Sequence, residues 1–300
     1  MRQLLQHHVQ TLSLGTSPRD GMDVVIVVTG NSKQEKYWRE QLTRPDHHSL
    51  WSGAKVIVVY EDWPNGAGNA LGTLYAYLKA VEVARQRYRF DLLEAQAEGA
   101  SIAMYHTAGK GTRLAPLPGS EQNNKSAVKL PCLLPDGAPI TILEAVIRQT
   151  SLYADSSKGR LSVFWGDQIF IPSLAPSPRY AHAEILACLS AFPTRHQWDQ
   201  RGFSRYGLMY VAPDSSTRLL EKIDYDTLLS LKEKGVVHEE GRFGPSLGSF
   251  SISLPMLEAL LHEFAGELKT KKGRLDSDPH LWMPLSLPEK DYVQLMATKG

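Results

Sequence analysis

Cysteine is nearly absent from this chain. Only Cys132 and Cys188 occur, too few for a disulfide framework and without the paired spacing of a structural zinc site, so a reducing compartment is the natural setting. Long apolar runs are missing as well. The cleanest, VVIVV from Val24 to Val28 and VIVV from Val56 to Val59, fall far below the roughly 18 residues that a membrane span needs. Neither sign of charge is in excess: 33 Lys and Arg stand against 32 Asp and Glu, a formal net charge of +1, which removes the electrostatic case for nucleic acid or an anionic membrane. The N-terminus mixes Arg2, Gln3, His7 and His8 with apolar residues and lacks a charged-then-apolar export signal. A cytoplasmic location and a small-molecule partner are therefore expected. There is no internal repeat and no low-complexity segment.

What the chain does have is 300 residues with 42% hydrophobic content, enough to bury a large core. Short β-rich runs alternate with longer helical patterns: Asp23 to Val28, Lys55 to Tyr60, Ser101 to His106, Leu161 to Trp165, Ala183 to Leu189 and Tyr206 to Val211. The first four are almost continuously apolar rather than alternating, the mark of parallel strands buried on both faces. Between them, Leu71, Leu74, Tyr75 and Leu78 recur at i, i+3, i+4 and i+7, as on an amphipathic helix. This rhythm predicts an α/β fold with a doubly wound, mostly parallel, Rossmann-like sheet. One domain over residues 1–300 with a long functional loop fits it.

A doubly wound sheet binds ligands beyond the carboxyl ends of its strands. After SIAMYH comes TAGKGTRL, Thr107 to Leu114. It is not a Walker A loop, because Met104 stands five residues before Gly109 and Lys110 is followed by Gly111. Nor is the dinucleotide fingerprint complete, since Leu114 occupies its last small-residue position. A glycine loop remains whose backbone N–H groups can approach a phosphate, with Arg113 next to it.

AGKGTRLAPL followed by NNKSAVKLP resembles the signature of the sugar-1-phosphate nucleotidylyltransferases, GGxGTRLxPLT and then a Lys shortly before a Pro. Ala108 departs from it, and the spacer is longer. Further resemblances follow in the family's order: WGDQIF (Trp165 to Phe170), YGLMYV, LLEKIDY (Leu219 to Tyr225) and GSFSIS (Gly248 to Ser253). The segments preceding GxGTRL, VVTGNSKQEKYWREQL and EDWPNGAGNALGTLYAYLKA, resemble βα units that follow it in relatives. The resemblance therefore implies a nucleotide-diphospho-sugar transferase fold that is circularly permuted, with residues 1–98 carrying the base loop and 99–300 the phosphate, metal and sugar sites. Permutation is tolerated where the breaks fall in exposed loops. The order is most similar to UDP-glucose pyrophosphorylases of the plastid and bacterial type, which would make the plastid stroma the alternative location. The chain ends on MATKG, which leaves room for a further C-terminal region.

The resemblance implies roles residue by residue. Ala108, Gly109, Gly111 and Thr112 would cradle the triphosphate, while Glu61, Gly66 and Gly68 would form the base loop. Arg113, Lys125 and Lys222 would carry the catalytic charge, with Lys129 the alternative to Lys125. Asp167 would hold Mg²⁺, with Asp276 or Asp278 as second ligand, although Asp278 before Pro279 also reads as a helix cap. Gly207, Glu221, Gly248 and Ser249 would line the sugar pocket. The implied partners are a nucleoside triphosphate and a sugar-1-phosphate, with UTP and glucose-1-phosphate preferred. Glu61 stands where uridylyltransferases carry Gln, and an ionised Glu only accepts hydrogen bonds, so guanine stays open as the base. Trp63 reads either as a flank to the base or as a packed loop aromatic. A catalytically silent nucleotide-binding or sugar-phosphate-binding module and a Rossmann oxidoreductase are the rival readings. The basic run LKTKKGR, Leu268 to Arg274, and the four histidines at 7, 8, 47 and 48 read as solvated surface.

Overall fold

The computed structural model describes residues 21–44, 53–108, 124–133, 137–168 and 181–297. The chain is α/β with a mixed, mostly parallel sheet. It divides into two units. One holds Met1–Gly66, Gly72–Glu184 and Phe250–Lys272, and the other holds Ala67–Leu71, Ile185–Ser249 and Gly273–Gly300.

The first unit is built on four parallel strands: β1 (Val24–Thr29), β2 (Lys55–Tyr60), β3 (Ile102–His106) and, after a small antiparallel ribbon of β4 (Lys129–Leu133) and β5 (Pro139–Thr141), β6 (Arg160–Trp165). All six residues of β1 and all five of β3 are buried, as expected of strands covered on both faces. The register is parallel throughout, β2 beside β1, β1 beside β3 and β3 beside β6. The order β2-β1-β3-β6 has a consequence for ligands. The chain leaves β1 toward one side and β3 toward the other, so the switch point of the winding lies between the ends of these two neighbours.

Helix Ser32–Leu42 makes the first crossover. Asn31 caps it by accepting from the Gln34 amide at 3.0 Å, which satisfies one of the free N–H groups of its first turn. Thr141 and Glu144 form a capping box that starts helix Ile142–Thr150. Helix Gly68–Val83 buries Leu71, Leu74 and Tyr75 as the spacing predicts, but Leu78 is 42% exposed. The buried stripe continues instead through Tyr77 and Val81, because 3.6 residues per turn carries it from Leu74 to positions three and seven further on.

The second unit is antiparallel. β7 (Ala183–Ala187) leads into it and β8 (Ser190–Ala191) follows. Then β9 (Gly207–Val211) pairs with β10 (Thr217–Glu221) and with the start of β11 (Arg242–Ser253). The start of β11 also takes β8; its last four residues, Phe250 to Ser253, belong to the first unit and pair there with β6. Trp198, Phe203 and Phe243 fill the core of the second unit, Trp198 and Phe243 with ring centroids 5.7 Å apart. Gly244 is obligatory there: a Cβ would fall 1.9 Å from the Cys188 carbonyl oxygen. Among the described residues no helix is long and apolar enough to cross a membrane.

Candidate functional site

The ends of β1, β3 and β6 bring the first set of site residues together. Thr107, just past β3, donates both its amide and its hydroxyl to the Val28 carbonyl, each at 2.8 Å. Gly166, just past β6, donates its amide to the His106 carbonyl at 2.9 Å. These bonds hold three turns side by side on one rim. A Cβ on Gly30 would lie 3.9 Å from the Ala108 Cβ, and one on Gly166 would lie 2.9 Å from Thr107 and 3.2 Å from the Ser126 hydroxyl. The backbones therefore approach as closely as only glycine allows at Gly166. Gly109, Gly111, Thr112 and Arg113 lie outside the described residues, as does the side-by-side placement of Gly66 and Gly68 with Gly109 and Gly111 that the permutation implies.

Lys125 and Asp167 meet on this rim as an ion pair, each side chain about a quarter exposed. Asn124 starts the turn that carries Lys125 by accepting from the Ser126 amide. Lys129 instead stands exposed on β4, in the ribbon with β5. Beneath the rim, His106 is buried and its Nε2 lies 2.8 Å from the Thr73 hydroxyl. Burial pushes its pKa down to about 4, so the ring is neutral at physiological pH and serves as a hydrogen-bonded floor.

The loop after β2 turns back on itself through Asn65 and Gly66, both at positive φ (61° and 79°). A Cβ on Gly66 would come 3.9 Å from Glu61 Oε1, so the two base-loop residues in this unit are neighbours. Trp63 is buried edge-on against Tyr75, with centroids 5.5 Å apart; it is the packed loop aromatic of the two readings. Beside it stands a group that sequence reasoning missed. Burial alone would raise the pKa of Asp62, but hydrogen bonds from Lys271, Tyr75 and Lys79 hold it well below the usual carboxylate range. Lys271, read from sequence as a solvated charge of the basic run, is thus engaged. Its partner lies 209 residues away, and no local pattern reports such a pair.

The second unit assembles the other set. Gly207, at the start of β9, faces two carboxylates at once: a Cβ there would lie 2.4 Å from Asp278 Oδ2 and 2.6 Å from Glu221 Oε2. Those two oxygens are therefore no more than 5.0 Å apart. Burial, and then the Glu221 charge, pushes the Asp278 pKa up to about 6, with Ser246 and Lys222 holding it partly down. Asp278 Oδ1 is buried and has no hydrogen-bond partner among the described residues. Lys222 pairs with Glu221 and takes a left-handed backbone at φ 48°, a conformation that costs a non-glycine residue about 1 kcal/mol. The Ser246 hydroxyl accepts from the Gly248 amide at 3.1 Å, and Gly248 sits at φ 71°. Ser249 is fully buried. Ser246 has no counterpart among the motif residues, and only its place two residues before Gly248 could have suggested it.

Asp276 does a different job in this unit. Its carboxylate accepts from the Asn69 amide at 3.0 Å, while the Asn69 side chain exchanges hydrogen bonds with Ser277 through its amide and hydroxyl. Gly68 makes room for this strand-like clasp: at φ 74° its Cβ would fall 2.4 Å from the Leu275 carbonyl oxygen and 2.9 Å from Asp276 Oδ1. Among the described residues no three His, Cys, Asp or Glu side chains gather as a metal cage. Comparisons of the chain with protein-family models, with curated proteins and with solved structures find no match.

Proposed function

We propose that the protein transfers a nucleotidyl group from a nucleoside triphosphate, with UTP preferred, to a sugar-1-phosphate, with glucose-1-phosphate preferred, releasing pyrophosphate. The observation that carries the reading is the Lys125–Asp167 pair on the rim shared by the ends of β3 and β6, beside the switch point where doubly wound sheets bind ligands. The order β2-β1-β3-β6 supports a permuted member of the fold, because the strand leading into GKGTRL lies between the unit that precedes it and the strand leading into the GD segment.

In this reading the sugar-phosphate oxygen attacks the α-phosphorus in line and the P–O bond to pyrophosphate breaks. The protein contributes position and charge rather than a covalent intermediate. Ala108 and the glycine loop after it offer main-chain donors to the triphosphate, Arg113 and Lys125 neutralise charge on the departing pyrophosphate, and Lys222 meets the acceptor phosphate. Glu221 accepts from sugar hydroxyls, and Gly207 keeps that face open. Mg²⁺ fits Asp167, a partly exposed carboxylate directly after a strand, with the remaining ligands supplied by phosphate oxygens and water. When bound it supplies charge neutralisation at the phosphates. The Asp276 carboxylate already serves the Asn69 amide, and Asp278 is held half-buried beside Glu221, so neither is assigned to the metal.

The test is pyrophosphate release in Mg²⁺ buffer from four nucleoside triphosphates crossed with a panel of sugar-1-phosphates, with Asp167→Ala alongside. Release confined to UTP and glucose-1-phosphate and lost in the variant is the expected result. Release with GTP instead would assign Glu61 to guanine. Absence of release from every pair would overturn the transfer reading in favour of a silent binding module.

A further inference from the structure

The second unit contains a cavity of about 380 Å³ that shares only Lys222 with the transfer chemistry. Lys222, Lys234, Thr227, Ser204, Gln294 and Asp291 line it. Its size falls in the range of natural small-molecule pockets, about 300 to 1,000 Å³. Asp291 is the informative residue. It is only 6% exposed, and its carboxylate makes no hydrogen bond or ion pair among the described residues. Its place in the first turn of helix Glu289–Ala297 favours its charge through the helix dipole, but supplies no donor to its oxygens. A buried carboxylate of this kind is costly unless something donates to it.

Around that carboxylate the other groups are graded by charge. The two ammonium groups sit where solvent reaches: the Lys222 side chain is 60% exposed, and Lys234 reaches the Gln294 side-chain oxygen at a long 3.3 Å. Asp224, the other acid of the lining, accepts from the Thr227 amide at 2.7 Å as the cap of helix Tyr225–Glu233. It is exposed to solvent, unlike the buried Asp291. What fits is a molecule with an anionic end for two lysines and hydroxyl donors for one buried carboxylate.

We infer that this cavity is a binding site for a phosphorylated polyol of hexose size, with its phosphate on Lys222 and Lys234 and its hydroxyl groups on Asp291. The site is distinct from the Gly207 face that Glu221 and Asp278 share. It is nevertheless coupled to it, because a phosphate that takes the Lys222 ammonium competes with Glu221 for the same group.

The experiment is calorimetric titration of the full chain with glucose 6-phosphate, without nucleotide or Mg²⁺. This probe has no anomeric phosphate, so its binding does not depend on the transfer reading. Inorganic phosphate and glucose are the reference probes, expected to bind at least about tenfold more weakly, since each satisfies one end only. Asp291→Asn should weaken glucose 6-phosphate about tenfold or more and Lys234→Ala about fivefold, as for charged hydrogen bonds. Glu221→Gln releases Lys222 from its ion pair and should tighten binding rather than weaken it, and thermal melting of each variant confirms folding. The inference is overturned if Asp291→Asn binds as tightly as the unaltered protein, if Glu221→Gln alone abolishes binding, or if the unaltered protein does not bind at millimolar concentration. Failure of pyrophosphate release together with intact, Asp291-dependent binding would count against the transfer reading and not against this site.

Discussion

The two units place their charged groups in opposite ways. In the first, Asp167 on the turn after the parallel strand β6 meets Lys125 on the short turn before β4, both partly in water and neutralising one another. In the second, Glu221 and Asp278 are drawn together over Gly207 by antiparallel strands and a segment from the far end of the chain, and one carboxylate is pushed toward neutrality. A parallel strand end exposes its turn by construction, so charge there remains available to a phosphate. A carboxylate pair folded against a glycine acts as a hydrogen-bonding surface, and its proton content changes with pH.

If this division of labour is right, the largest effects come from the first unit. Asp167→Ala should lower pyrophosphate release about 10³-fold and Lys125→Ala about 10²-fold, the scale for losing a preorganised charge at a developing negative centre. Far-UV circular dichroism should be unchanged, because both side chains are partly exposed. Equal activity of Asp167→Ala and the unaltered protein would remove Asp167 from the chemistry. The next effect is on stability. Gly68→Ala places a Cβ 2.4 Å from a backbone oxygen at φ 74°, where nothing flexible can move aside, and should cost about 3 kcal/mol in urea unfolding. Gly207→Ala meets only side-chain carboxylates and should cost less, while raising the KM for the sugar phosphate.

How much of this was legible in the sequence follows the same division. Strands β1, β2, β3 and β6 were readable because burial on both faces makes a strand continuously apolar. Asp167 was singled out by the GD resemblance together with its place directly after such a run. Gly207 and Glu221 were singled out through their motifs, but their meeting with Asp278 was not, because no local period links residues so far apart in the chain. Leu78 was misread by one position, since an i+7 spacing fits a helix only approximately. Asp291, the Thr73–His106 pair and the clasp of Asp276 on Asn69 left no sequence signal, because each depends on tertiary neighbours.

The two units should also respond to acid with opposite signs. The folded-state pKa of His106, pushed from 6.5 down to about 4, makes the folded state reluctant to take a proton that the unfolded chain accepts. Stability from this group is present above about 6.5 and lost as pH falls toward 4. Asp278, raised from 3.8 to about 6, keeps its proton in the folded state, so its contribution is present below 3.8 and lost as pH rises through 6. Asp278→Asn should therefore stabilise the protein by about 2 kcal/mol at pH 7 and by nothing measurable at pH 3.5. The variant should also show a steeper loss of stability between pH 6 and 4 than the unaltered chain, since the His106 effect is then unopposed. Parallel pH profiles of the two proteins in urea unfolding would show that Asp278 is not linked to folding in this way.

The smallest effect expected is at Lys129, and it sharpens the contrast because Lys129 is the motif's alternative to Lys125. Lys125 follows the buried Asn124 on a turn held against the rim and reaches Asp167. Lys129 stands exposed on a two-stranded ribbon with β5. Lys129→Ala should change pyrophosphate release by less than about twofold, against about 10²-fold for Lys125→Ala, with indistinguishable melting temperatures. An equal loss in both would mean that the ribbon moves onto the phosphate during turnover, and the cation of the reaction would then have to be assigned to Lys129, with Lys125 kept as the ion-pair partner that positions Asp167.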